Sequence, residues 1–599
     1  MSTSIPYMMT ANLLSSLDYT DYTSKSLDHL GIVATVCKEI GLADEINRIV
    51  GVDPRQKVTC GEAVVAMILN TLGFVDRPLY LFPEFMATKP VEILIREGLK
   101  AEDFNDDVLG RTLDKLYRAG PEGIFMQIAA NAYGEYSGRF LHNDTTSMSL
   151  QGEYEHEEGD IDAVPIQITH GYSKDHRPDL KQFVISLVMS DNLPVFIQAL
   201  SGNTSDKNHF REIVKEYGRS LQEKWGEDKI WVWDSAGYSE KNLREISESY
   251  KWITRVPETL SEAKEVLENA DTEKMRSTTL DGYRLFSIEV EYGGVKQRWV
   301  VVFSKKAFMR ETKTLEKKTK KEKEQVEKAV WHLSNQEFYN EEDALKAARE
   351  REKQWKYHKI SATAMETKRK RENGGRGRPR KDEPTQTVYR VKAEFAEDKS
   401  VIEKEMLKKG KFIVATNELD SEKLSDEEVL KAYKGQQHAE RGFRFLKDPL
   451  FFAHSMFLKN ESRIVAMVMI MGLALMVYSI AERKLREALE KAGETIPDQK
   501  GKPTQKPTIR RVFQVFEGIT VLYMGSERVK VLNLRPIHGW GAPQVKSLHC
   551  SVVSMRRCIA PVMDECLYKL QRVIAMQKRR KPLLHVISFF HAKSRHKEE

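Results

Sequence analysis

The chain has 599 residues, 41% of them hydrophobic and 31% charged, with a net charge of +7 at neutral pH. That length calls for more than one domain, and the composition is that of a folded, highly charged soluble protein. Five scattered cysteines (Cys37, Cys60, Cys550, Cys558, Cys566) form no Cys-x-x-Cys pair, which argues against a disulfide framework or a zinc site and for a reducing cytoplasm.

Residues 1–135 read as a helical domain. DHLGIVATVCKEIGLADEINRIVG, CGEAVVAMILNTLGF and NDDVLGRTLDKLYRAGPEGIF carry apolar residues at helical spacing, and Gly and Pro mark the joints. The opening residues lack the basic segment and apolar core of a secretory signal. From Gly138 the texture changes. GRFLHNDTTSMSLQG reads as a strand with Asp144 inside it, and FVISLVMS and PVFIQALSG read as a hairpin turning at Asp191-Asn192. An amphipathic helix from Asp206 to Trp225 follows, then a buried strand ending at Asp234, a short helix and the strand KWITRVP. Three strands, helix, strand, helix and strand make an α/β sheet over residues 136–256.

Residues 257–415 read as a β-rich and helical insertion. It holds a hairpin turning at Gly293-Gly294 and a charged helical region from Lys305 to about Lys356, with Trp331 and Trp355 as apolar anchors. That helical region reads as a solvated hairpin in preference to a protein-contact surface. ETKRKRENGGRGRPRKDEP follows, too polar and glycine-rich to pack a core, and then two further strands.

Residues 416–490 open with one helix from Ser425 to Pro449, started by a Ser425/Glu428 capping box and stopped before proline. At about 100° per residue, Tyr433, Gln436, Glu440 and Lys447 fall on one stripe of it. The uncharged run Ile464–Ala481 is borderline for spanning a bilayer and reads as a buried core helix, so no membrane partner is expected. Residues 491–599 form a C-terminal region ending in a basic tail.

Asp144 and Asp234 stand in or at the end of otherwise apolar strands, where a carboxylate is costly unless paired, capping or bound to a cation. With Glu440 they make three candidate carboxylates. Oxygen-only ligands of this kind suit Mg²⁺ or Mn²⁺, and no His-x-x-x-His pair competes with them.

This layout resembles the DDE transposases of bacterial insertion sequences, built on a ribonuclease-H-like core. The Ser425–Pro449 stretch is similar to the signature of insertion-sequence family four, in which Tyr, Arg, Glu and Lys occupy the positions of Tyr433, Gln436, Glu440 and Lys447; the Arg position holds Gln here. HNDTTS around Asp144, GYSKDHRPDLKQ, SGNTSDK and WDSAGYS around Asp234 extend the resemblance over residues 30–490. It implies that Asp144, Asp234 and Glu440 hold Mg²⁺ (with Mn²⁺ substituting), and that Tyr433 and Lys447 bind the backbone of the transposon end. Arg441 or Arg444 would supply the charge that Gln436 lacks. The implied partners are double-stranded terminal repeats and target DNA, held by a homodimer in a nucleoid-associated, cytoplasmic setting. A non-catalytic DNA-binding descendant, or a nuclease without strand transfer, remain as other readings.

Three further segments bear on DNA. The loop carrying Lys174, Arg177 and Lys181 reads as a backbone contact, against a solvated loop held by Asp–Arg pairs. Arg376 and Arg378 in GGRGRPRK resemble an AT-hook, against a flexible basic linker. The helical front domain is either a DNA grip or a scaffold.

Overall fold

The computed structural model describes residues 22–74, 78–133, 138–154, 164–371, 385–448, 458–524 and 527–534. Two compact units emerge, Met1–Lys229 with Gly435–Glu599, and Ile230–Lys434. Arg376 and Arg378 lie outside the described residues, as does most of the C-terminal region.

The first unit starts with strand β1 (Tyr22–Ser26) and helices α1 (Leu30–Glu39), α2 (Leu42–Val50), α3 (Cys60–Thr71), α4 (Asp106–Arg118) and α5 (Pro121–Tyr133). Local chemistry sets their starts. Thr59 and Glu62 close a capping box on α3, and the Asn105 side chain accepts the Val108 N–H at 3.0 Å to cap α4. Strands β2 (Phe140–Leu150), β3 (Lys181–Ser190) and β4 (Leu193–Leu200) then form an antiparallel meander, with Asp144 opposite Leu187 and Val188 opposite Phe196. Asp191 and Asn192 turn the second hairpin with φ of 47° and 69°, left-handed values that Asp and Asn tolerate in two-residue turns. Helix α6 (Asp206–Trp225) follows.

The second unit begins with β5 (Ile230–Trp233), α7 (Glu240–Ser247) and β6 (Lys251–Arg255), and β5 and β6 pair in parallel. Next come the short strand β7 (Arg276–Ser277), the hairpin β8 (Tyr283–Tyr292) and β9 (Val295–Ser304), and helices α8 (Lys305–Asn335) and α9 (Glu341–Glu352). The long hairpin β10 (His358–Arg371) and β11 (Thr385–Glu397) leads to β12 (Lys411–Thr416) and α10 (Asp426–Lys434). Within this unit the strand order is β5-β6-β12-β9-β8-β7, so β12 and the hairpin extend the sheet that β5 and β6 begin. Asp426 is buried at the start of α10, where Ser287 donates at 2.9 Å and Arg298 at 3.0 Å, joined by Arg276. Trp331 does not anchor α8: it is 64% exposed, and the helix is held by the seam Leu315, Val326 and Leu333.

Back in the first unit, α11 (Gln437–Leu446) and α12 (Glu461–Ala492) complete the core. Helix α12 is apolar all round and buried from Ile464 to Val477, against β4, α1, α3, α4 and α5. Gly472 permits that closeness, since a Cβ there would lie 2.8 Å from Ile197 and 2.9 Å from Phe125. The apolar run is thus the central core helix, as its composition implied. Strand Thr520–Met524 pairs with β1, tying the late chain to its beginning.

An antiparallel three-strand meander, a helix, and a strand–helix–strand pair running parallel is the element order of a ribonuclease-H-like core. The protein is a mixed α/β fold with a helical N-terminal block.

Candidate functional site

Asp144 sits at mid-strand in β2, half-buried, and its Oδ1 accepts the Thr145 N–H at 2.7 Å. Residues i and i+2 of a strand share a face, as do directly opposed residues of neighbouring strands. His142, Asp144, Leu187 and Met189 therefore look the same way. Helix α11 lies across that face, packed on β2 and β3. Gly442 makes the approach possible: a Cβ there would fall 2.7 Å from Leu187 Cδ2, and Leu187 is the cross-strand partner of Asp144. The helix bearing Glu440 is thereby seated at the level of Asp144.

His438 reinforces the seam. Its ring meets that of His142 edge-on, with centroids 5.7 Å apart. Burial, with His142 and Arg441 adding repulsion, holds the His438 imidazole down at about 4, so it is neutral near pH 7. Glu440 is about 200° further round the helix and exposed in its first turn, where a carboxylate favours the helix dipole. The two histidines escaped the reading of the sequence. The signal was present as an echo, His-Asn-Asp at residue 142 and His-Ala-Glu at residue 438, each histidine two residues ahead of a candidate carboxylate.

The expected single helix from Ser425 to Pro449 is two helices. The Ser425/Glu428 box forms as expected, with Ser425 N–H donating to Glu428 at 2.9 Å. But α10 ends at Lys434, and Gly435 and Gln436 form a turn before α11. Glycine is a weak helix former, and the carbonyls of Gly435 and Gln436 accept from His438 and Ala439 in tight i→i+3 bonds at 2.9 and 3.0 Å. The stripe that joined Tyr433 to Glu440 and Lys447 is broken there, and the boundary between the two units falls at the same turn. Tyr433 belongs to the second unit, with its ring 6.3 Å from that of Phe412. Gln436 stands at the N-cap of α11, in the first unit.

Asp234 is also in the second unit. It is exposed at the carboxyl end of β5, where its Oδ1 accepts the Ala236 N–H at 2.9 Å and its carbonyl accepts from the Thr254 hydroxyl at 2.9 Å. Among the described residues no three His, Cys, Asp or Glu side chains are grouped to hold a metal ion. The donor set itself, two aspartates and a glutamate, is of the type that suits Mg²⁺ or Mn²⁺.

The basic residues have definite positions. Lys447 forms an ion pair with Asp175 at 2.6 Å, which ties the end of α11 to the 171–180 loop. Lys174 donates to the Thr145 carbonyl at 2.7 Å, one residue from Asp144. Arg177 is held by Asp179 through two bonds of 2.8 and 2.6 Å, and Lys181 donates to the Glu153 carbonyl. Arg441 and Arg444 line a groove of about 710 Å³ with residues of α12, and among the described residues neither has a carboxylate partner.

Residues 153–477 match the family described as transposase DDE domain, a span that includes Asp234 and Glu440 and begins beyond Asp144. Residues 22–130 match a domain of unknown function, DUF4277. No curated protein matches the chain. Among solved structures it is similar to a piggyBac transposase in a synaptic complex with hairpin DNA determined by cryo-EM, at 10% identity and a TM-score of 0.35 over 81% of this chain and 80% of that one. With more than half of its length in that match, this chain belongs to the transposase DDE-domain family.

Proposed function

We propose that the protein is a divalent-metal-dependent transposase, allied to insertion-sequence family four, that cuts the 3′ strand at each end of its element and joins it to target DNA. In the first step water attacks the scissile phosphorus and the 3′ oxygen departs as a hydroxyl. In the second that hydroxyl attacks a target phosphodiester and displaces the target's own 3′ oxygen. Asp144, Asp234 and Glu440 are the proposed ligands of Mg²⁺, with Mn²⁺ able to replace it; such an ion, when bound, lowers the cost of the charge that builds on the oxygens. Tyr433, Gln436, Arg441, Arg444 and Lys447 are proposed contacts to the end, Lys174, Arg177 and Lys181 to the backbone, and Arg376 and Arg378 to a minor groove. The active species on DNA is proposed to be a homodimer, and the setting cytoplasmic.

What supports this reading is the match of residues 153–477 to the transposase DDE-domain family, together with the packing of α11, which bears Glu440, on β2, which bears Asp144. The test is incubation with Mg²⁺, labelled end DNA and a plasmid target. Cleavage with joining, lost in Glu440→Gln while end binding persists, is the expected outcome. Cleavage without joining would make the protein a nuclease. Binding with no metal-dependent product would make it a non-catalytic DNA-binding protein.

A further inference from the structure

Helix α8 carries its charges in a pattern that its own packing does not require. Its buried seam consists of Leu315, Val326 and Leu333, and it rests on α9 and the β10–β11 hairpin. On the opposite side, Lys306, Arg310, Lys313, Lys317 and Lys320 follow one another at steps of four, three, four and three, with Lys321 alongside. At about 100° per residue these six cations occupy one face, and all are exposed. The acids of that stretch, Glu311 and Glu316, fall to the side or rear, and Glu311 is engaged with the Gly410 N–H at 2.9 Å. Arg310 lies 3.7 Å from Glu311; for Lys313, Lys317, Lys320 and Lys321 no carboxylate among the described residues comes within ion-pair reach.

A solvated helix normally alternates its charges, because opposite charges four apart stabilise it and like charges weaken it. Lys313, Lys317 and Lys321 are like charges at that spacing, so the row works against the helix that carries it. A polyanion laid along the face would relieve that repulsion. From Lys306 to Lys321 the row runs about 22 Å, a length over which duplex DNA presents roughly 13 phosphate charges.

We propose that this face of α8 is a binding surface for the phosphate backbone of double-stranded DNA, separate from the residues assigned to the reaction. The choice of duplex DNA over an anionic membrane or an acidic protein rests on the transposase reading. The contact is sequence-independent: it adds affinity and positions the duplex without reading bases.

The experiment is DNA binding by the full chain, measured by fluorescence anisotropy with a duplex probe between about 50 and about 200 mM potassium chloride. The variant Lys313→Gln/Lys317→Gln/Lys320→Gln keeps helix-forming residues on an exposed face, and circular dichroism checks that it folds. A control, Lys346→Gln/Arg349→Gln/Lys353→Gln, removes the same charge from exposed positions in and just after α9. The expected result is a salt-dependence slope shallower by about two to three in the first variant, and by less than about one in the control. An unchanged slope, or equal losses in both, overturns the proposal. So does a variant that loses binding to phosphatidylserine vesicles while its DNA slope stays put. Metal-dependent cleavage, measured separately, reports on the transposase reading: a shallower slope in a protein that cuts nothing leaves this surface standing and removes that function.

Discussion

Helices α8 and α12 are nearly the same length, 31 and 32 residues, and they share almost nothing else. Helix α12 is uncharged from Ile464 to Ala481 and buries nineteen of its residues, because it packs against β4 and against helices that include α1, α3, α4, α5 and α11. Helix α8 buries Leu315, Val326 and Leu333, roughly one residue every two or three turns, and turns a row of lysines outward. Helical stability in a protein comes mostly from the face that packs. Helix α12 can therefore carry methionines and β-branched residues at no net loss, while α8 leans on helix-forming Lys and Glu and a thin seam.

That contrast breaks or sharpens under substitution. Leu473→Ala, at a fully buried position of α12, is expected to destabilise the first unit by about 2–5 kcal/mol in chemical denaturation. A loss under about 1 kcal/mol would mean that α12 is less central than its burial implies. Acid provides the next test. His29 is buried against Phe513, with ring centroids 4.2 Å apart, and its Nε2 lies 2.6 Å from the Leu72 carbonyl oxygen. Burial pushes its imidazole down from 6.5 to about 4. The folded state therefore resists a proton that the unfolded chain accepts. The stability this represents is intact above pH 6.5, is lost as pH falls toward 4, and amounts to about 3 kcal/mol. His29→Phe should flatten the stability–pH curve in that window relative to the parent; an unchanged slope would show that His29 is not the group responsible. Smallest of all, Lys317→Gln on α8 should move stability by less than about 0.5 kcal/mol, and a larger loss would reveal a packing role its exposure conceals.

How far the sequence could be read follows the same physics. Helix α12 was legible because eighteen uncharged residues leave few other folds, and the β3–β4 hairpin because Asp191-Asn192 is one of the few pairs that accept left-handed turn geometry. The strand around Asp144 and the helix around Glu440 were legible from their periodicity. The break at Gly435 was not: one glycine among good helix formers costs only about 1 kcal/mol, which tertiary packing of α11 on Leu187 and Leu475 readily outweighs. Arg177–Asp179 could be anticipated from two residues of separation, whereas Lys447–Asp175 joins segments far apart in the chain that only the fold brings together. The helical region after Lys305 was seen as helices, but the one-sidedness of its lysines has meaning only once the buried seam fixes which side faces out.

The central claim of the proposed function is that Asp144 on β2 and Glu440 on α11, two elements that pack on one another, act together in the cleavage step. The direct test is single-turnover cleavage of labelled end DNA by Asp144→Asn, Glu440→Gln and the double variant. Each single variant should lose more than about a hundredfold, beyond what removing a supporting contact costs, and the double variant should be no slower than the worse single. Losses that multiply in the double variant, or cleavage that survives either single change, would contradict the account.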